Sequence, residues 1–356
     1  MLEHAVFMSV KRNGRIFAAA FMVTAALPVV AHGQDGLVKV TPLGSHAGEL
    51  CARDRAIVFE DPTGVRILYD PGFMVDETDP RLGDIHAVLL SHAHIDHAGS
   101  RRDRGGTCAA PGMGPANPVS NVAGIVAAKN AMLITANESA AFFAVKIQGV
   151  RGTATPACTT TGFDDQTVVP LSGACTAPVG ASGARTILRS GAPAAVRVTA
   201  VQAIHPNNIA AALVDAPGLA DGTTAYGGLA LGFIVRFTNG LTVYLSGDTG
   251  VFGDMTTVIA KLFAPNLMVL NIGPGGNGPT ALGATDAVTV VQHLIRTATV
   301  MPSHVGEQAT SGGTLAANTR TEYFVRSVSG FTEVVLPLSN VTRTFDGSGR
   351  CVGCGR

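Results

Sequence analysis

Short apolar runs that stop at Gly, Pro, Asn or Asp recur along this chain, and most have the length of a strand. Residues 37–42, 56–60 and 65–69 read as three strands, the last two joined by the turn Asp61-Pro62-Thr63-Gly64 and the third ended by Asp70-Pro71-Gly72. The run His86-Ala87-Val88-Leu89-Leu90 is a fourth, leading straight into a histidine-rich loop. Residues 131–136 form the next, and Asn137 is placed to cap a helix from Glu138 to about Ile147. The second half restarts with strand 196–204, the hairpin 231–237 and 241–246 across Asn239-Gly240, and the buried strand 267–271. Thr285 is placed to cap a second helix, in which Ala287, Val290, Val291 and Leu294 share one apolar face at i, i+3, i+4 and i+7. Strands 299–303, 333–337 and 342–346 close the sheet, and no repeat of solenoid period occurs.

Two tracts break this rhythm. Residues 105–118, directly after the histidine loop, are rich in Gly and Pro. Residues 151–194 turn to Gly, Ala, Thr, Ser and Pro with little periodicity and carry Cys158 and Cys175, which reads as a loop insertion stapled by its own disulfide.

Composition narrows the class. With 356 residues, 46% apolar and 14% charged, the chain buries a substantial core, as one large domain or two small ones, and disorder is excluded. Formal charge is zero, Trp is absent and Tyr numbers four, so neither the basic footprint nor the stacking platforms of a nucleic-acid binder are present. Residues 1–33 read as a secretory signal: Lys11, Arg12 and Arg15 precede the apolar run 16–30, and Ala31-His32-Gly33 supplies small residues for cleavage. That run is short of the ~20 residues a membrane span needs. Its removal takes three bases and Glu3 from 25 bases and 25 acids, for a net charge of −2 on a soluble mature chain, 34–356, with no stable membrane association. The six cysteines suit a periplasmic or secreted protein, and local pairing favours Cys158 with Cys175 and Cys351 with Cys354.

The chemistry is concentrated in Ser91-His92-Ala93-His94-Ile95-Asp96-His97-Ala98-Gly99. Three imidazoles and a carboxylate within six residues have the donors for two metal ions, His92 and His94 pointing one way and Asp96 and His97 toward a second ion. Three more candidates stand where an apolar strand runs out into a polar turn: His205 before Pro206-Asn207-Asn208, Asp248 in Ser246-Gly247-Asp248-Thr249-Gly250, and His304 before Val305-Gly306-Glu307. Asp70 begins a turn and is also placed to orient a ligand. Asn207, Asn208 and His46 are candidate substrate contacts, while His86 reads as packing.

This ordered set, an HxHxDH loop followed by His, Asp and His, resembles the metallo-β-lactamase superfamily over nearly all of the mature chain except 151–194. The resemblance implies an α/β fold, a single-domain four-layer αββα sandwich with the metals in a groove at one edge of two sheets. It further implies that His92, His94 and His205 hold a first ion, that Asp96, His97 and His304 hold a second, that Asp248 bridges both, and that Asp70 steadies a ligand from behind. Imidazole and carboxylate donors suit zinc, two per chain, with iron or manganese as alternatives. Metal coordination lowers the pKa of water from ~15.7 toward ~7, so no serine or cysteine nucleophile is needed. Asp96 and His205 are the candidate catalytic residues, Asp96 as carrier of a proton to the leaving group. The tract Asn271-Ile272-Gly273-Pro274, the helix of Asp286, and Met301-Pro302-Ser303-His304 are similar to lactonase-like branches, although Val305 stands where those usually carry Tyr. The expectation is an exported dinuclear zinc hydrolase acting on a small ester, lactone or amide. β-Lactam hydrolysis, hydrolytic dehalogenation, phosphodiester hydrolysis and metal binding without turnover are the alternatives.

Overall fold

A strand covered on both faces has no solvated side, so its apolar residues run on without polar alternation. Leu267–Asn271 is such a strand: Leu267 and Val269 enter one buried cluster, Met268 and Leu270 another. In Ala87–Leu89 the flanking residues join that first cluster and Val88 a third. Three buried layers therefore separate four layers of structure, helices on sheet on sheet on helices, as the αββα expectation requires. The computed structural model that shows this describes residues 36–354 apart from 163, 215–223 and 274–279, and the expected signal segment, 1–33, lies outside the described residues.

The first sheet runs, edge to edge, Cys351–Val352, Arg343–Phe345, Val38–Pro42, Ile57–Glu60, Arg66–Tyr69, Ala87–Leu89, Met132–Thr135, Cys175–Pro178. The second runs Glu333–Val334, Thr299–Ser303, Leu267–Asn271, Thr242–Leu245, Leu231–Arg236, Val196–Gln202, Ala184–Arg189, Gln166–Val169. The last two expected strands thus enter different sheets rather than closing one. Val38, Ile67, Leu89, Val198, Phe233 and Leu245, each at most 1% exposed, are among the residues filling the space between the sheets. Helices Asn121–Lys129 and Asn137–Arg151 cover the outer face of the first sheet through Val122, Val126, Phe143 and Ile147. Met255–Phe263, Ala284–Thr289 with its continuation Val290–Leu294, and Arg320–Val328 cover the second.

Several expectations are corrected. Residues 151–194 are not a loop insertion: they supply the strands Gln166–Val169, Cys175–Pro178 and Ala184–Arg189, at the edges of both sheets. Edge strands built from Thr, Ala and Arg lack the apolar rhythm of central ones, which hid them. The Cys158–Cys175 staple is present and ties the preceding loop to one of these strands, and Cys351–Cys354 and Cys51–Cys108 complete the set. The first helix starts at Asn137 with Ala136 as its cap residue, passes Gly149 on an open face and stops at the left-handed Gly152. Thr285 lies inside its helix, which Gly283 precedes. The unexpected helix Arg320–Val328 opens on the capping pattern Thr319-x-x-Glu322, whose Thr319 hydroxyl accepts from the Glu322 N–H at 3.0 Å. His86 is structural: its Nδ1 accepts from the Arg66 N–H at 3.0 Å.

Candidate metal centre

The histidine loop begins where strand Ala87–Leu89 runs out and its backbone needs new partners. Asp70, at the end of the neighbouring strand, supplies them: Oδ1 accepts from the Ser91 N–H at 2.8 Å and Oδ2 from the Ser91 hydroxyl at 2.7 Å. His94 remains extended, Ile95–Ala98 makes one helical turn, and Gly99 ends it at φ 73°, where a Cβ would lie 2.4 Å from the Gly72 carbonyl. Strand Val196–Gln202 stops short of Ile204, whose N–H donates to the Thr249 hydroxyl and whose carbonyl accepts from Gly250, and this turn delivers His205 beside the Asp248 loop. Gly247, at φ 59°, passes close under the Leu231 carbonyl, and its N–H donates to the Tyr69 hydroxyl at 3.0 Å. His304 follows Thr299–Ser303 in a left-handed conformation, φ 53°.

These loops bring the seven candidate ligands together. His94 Nδ1 lies 3.0 Å from His92 Nε2 and 3.2 Å from His205 Nε2. Four donors at tetrahedral Zn–N distances of ~2.0–2.1 Å stand about 3.3 Å apart, so this triangle has the size of a zinc site. Tautomers agree. His205 Nδ1 donates to the Thr280 carbonyl at 2.6 Å, and His92 Nδ1 lies 3.0 Å from a Ser91 oxygen whose own proton goes to Asp70. The Nε2 lone pairs of both rings therefore converge with no proton to separate them, an arrangement that a cation relieves.

The second group is Asp96, His97 and His304, with Asp96 Oδ2 3.2 Å from His304 Nε2 and 3.9 Å from His97 Nε2. His97 Nδ1 is held by Asp70 Oδ2 at 2.8 Å, which turns Nε2 inward, and that buried nitrogen has no hydrogen-bond partner. Asp248 joins the two groups: its Oδ2 lies 3.4 Å from His97 Nε2, 3.5 Å from His304 Nε2 and 3.8 Å from His205 Nε2. The residues thus fit metal binding, with Asp248 within reach of both groups.

The electrostatics differ between the groups. Burial, reinforced by neighbouring imidazoles, holds His92 well below the usual histidine range and His94 down to about 4, so both stay neutral at physiological pH. Burial also depresses His97, but Asp248, Asp70 and Asp96 outweigh it and raise the ring to about 10. Burial works against ionisation of Asp248, yet His304 and His97 hold it well below the carboxylate range. A proton on His97 marks a negative potential that a metal ion satisfies in its place.

One consequence is measurable. A histidine whose pKa is lowered takes up its proton only at lower pH, so metal held through His92 and His94 should survive acidification below 6.5. Metal content after desalting across pH 4–8 checks this, and complete loss by pH 6 would contradict it.

Comparison with known proteins bears on the fold and the centre. A family model described as a beta-lactamase superfamily domain matches residues 54–168. A UPF0173 metal-dependent hydrolase of Rubrobacter xylanophilus is 30% identical over 217 residues, covering 60% of this chain and 64% of that protein. Another, from Cupriavidus necator, is 26% identical over 283 residues, 77% of this chain and 78% of the relative. A metallo hydrolase from the archaeon Ignicoccus hospitalis shares the fold with a TM-score of 0.52 at 20% identity, over 87% of this chain and 99% of that one. The chain has the metallo-β-lactamase fold and matches the beta-lactamase superfamily domain over residues 54–168.

Around this centre the other named residues take different places. Asn207, expected as a substrate contact, is 4% exposed and committed to backbone: Oδ1 accepts from the Ala93 N–H at 2.8 Å, and Nδ2 donates to the Gly227 and Leu229 carbonyls. It clamps the histidine loop to the His205 loop. Asn208 is exposed in a two-residue strand opposite Tyr226, and His46 Nδ1 bonds the Ser45 hydroxyl at 3.0 Å. Two residues given no part from sequence touch the ligands directly. Asn271 Nδ2 donates to Asp248 Oδ1 at 2.9 Å, and the Arg55 guanidinium donates to Asp96 Oδ2. Asn271 stands at a strand end beside polar loops, which was its visible signal. Arg55 had none.

Proposed function

We propose that this chain is an exported metal-dependent hydrolase that holds two zinc ions and cleaves a small ester, lactone or amide. The observation that carries the reading is the single Asp248 oxygen within 3.4 to 3.8 Å of nitrogens from both ligand groups, a placement suited to a carboxylate shared by two cations. The relatives named as metal-dependent hydrolases support it, as does a donor set of five imidazoles and two carboxylates, which suits zinc. Bound zinc supplies Lewis acidity toward a carbonyl and an acidified water.

The chain's own residues then have distinct tasks. Asn271 fixes the orientation of Asp248, and Asp70 fixes that of His97. Asp96, 32% exposed against 12% for Asp248, is the ligand carboxylate more open to solvent; burial works against its ionisation, yet Arg55 and His97 hold it well below the carboxylate range, which counts against the expected role as proton carrier. Apolar side chains flank the His205 loop: Leu229, 51% exposed, next to the Asn207 clamp, and Val251, 43% exposed, beside Gly250. They favour an uncharged, partly apolar substrate over a phosphate-rich one. Pairing of all six cysteines favours the export reading, since disulfides persist in oxidising compartments.

The test is a hydrolysis screen of the zinc-loaded mature protein on lactones, esters, amides, β-lactams and phosphodiesters, with metal content measured alongside. About two ions per chain and turnover of a lactone, ester or amide are expected. Two ions with no turnover of any substrate would instead favour a metal-binding protein.

A further inference from the structure

Arg55 is a permanent cation, 6% exposed, placed against a ligand of only one ion position. Its Nη1 donates to Asp96 Oδ2, the oxygen that also lies 3.2 Å from His304 Nε2. The surrounding structure keeps it in place. Asp54, the preceding residue, accepts the Ser45 and Cys51 N–H groups at 2.9 Å, Cys51 is bonded to Cys108, and Arg53 pairs with Asp103. The Arg55 stem lies over Gly72, where a Cβ would stand 3.0 Å from its Cγ and Cδ, and the Gly72 N–H donates to the His97 carbonyl. No carboxylate other than Asp96 pairs with Arg55 among the described residues.

We infer that Arg55 makes the two ion positions unequal, so that the three-histidine position fills first and the Asp96–His97–His304 position holds its ion more weakly. The inference rests on the dinuclear reading above. An ion at the second position must share Asp96 Oδ2 with a guanidinium that cannot retreat, and in a buried site the repulsion between the two cations is poorly screened. The first position consists of imidazoles alone, and none of the three pairs with a cationic side chain among the described residues. While the second ion is absent, Arg55 remains paired with Asp96, so the one-ion form has no unpartnered carboxylate there.

Stepwise withdrawal of Zn²⁺ from the loaded full chain by a chelator, with zinc counted at each step, tests this. Two steps are expected, separated by at least about tenfold in affinity. Arg55→Met, or Arg55→Gln if the former does not fold, should tighten the weak step about tenfold and leave the strong one unchanged, whereas Arg55→Lys should preserve the gap. Departure of both ions from the wild type in one step would overturn the inference, as would a weak step that stays put or weakens further in the uncharged variants. Fewer than two ions at saturation would overturn the dinuclear reading instead.

Discussion

Replacing Asp248 with Ala is expected to lower kcat/KM by about a thousandfold or more and to leave fewer than two metal ions per chain, with the fold intact. The size of the effect follows from one atom serving both groups. Oδ2 faces His97, His304 and His205, so its loss removes a donor from each position and the negative charge that keeps two neighbouring cations from repelling one another. The fold should survive because Asp248 belongs to none of the apolar clusters. Asp248→Asn should fall in between, keeping the size of the side chain while losing its charge. Elemental analysis and kinetics on the best substrate check this, with circular dichroism as the control for folding. Undiminished turnover in Asp248→Ala would sink the two-ion mechanism.

Asp70→Asn should weaken zinc binding about 10- to 100-fold without touching a ligand. Asp70 is fully buried, and its two oxygens receive three donors: the Ser91 N–H, the Ser91 hydroxyl and His97 Nδ1. An amide replaces one acceptor with a donor, so a donor faces a donor at one end whichever way the group is turned. That mismatch should also cost about 1–3 kcal/mol of stability. Asn is the informative replacement because Asp70 sits at φ 39°, a left-handed conformation that Asn tolerates and Ala does not. Zinc titration and thermal denaturation read the two effects separately. Wild-type affinity in this variant would mean that packing, not Asp70, orients His97.

The ligand residues could be read from sequence because each stands at a strand end, where an apolar run and the polar turn after it are adjacent in the chain. Central strands were legible for a related reason: buried on both faces, Leu267–Asn271 and Ala87–Leu89 are apolar throughout. The strands of 151–194 were not. In 151–194 the partners come from Met132–Thr135 and Val196–Gln202, and pairing of that kind leaves no local rhythm in Thr- and Ala-rich segments. Asn207 next to His205 suggested a substrate contact, but only folding showed that Ala93, 114 positions away, had claimed its carbonyl.

By itself, then, the sequence determined the chemical identity of the centre, five imidazoles and two carboxylates delivered by loops, together with the strand-rich frame that carries them. Tertiary structure alone decided which atoms face one another. It put one oxygen of Asp248 against nitrogens from three loops, and it put Arg55 on Asp96 across 41 residues. The physical reason is range: donor type and strand burial are written in neighbouring residues, whereas charge–charge contact depends on which distant loops two packed sheets bring to the same rim.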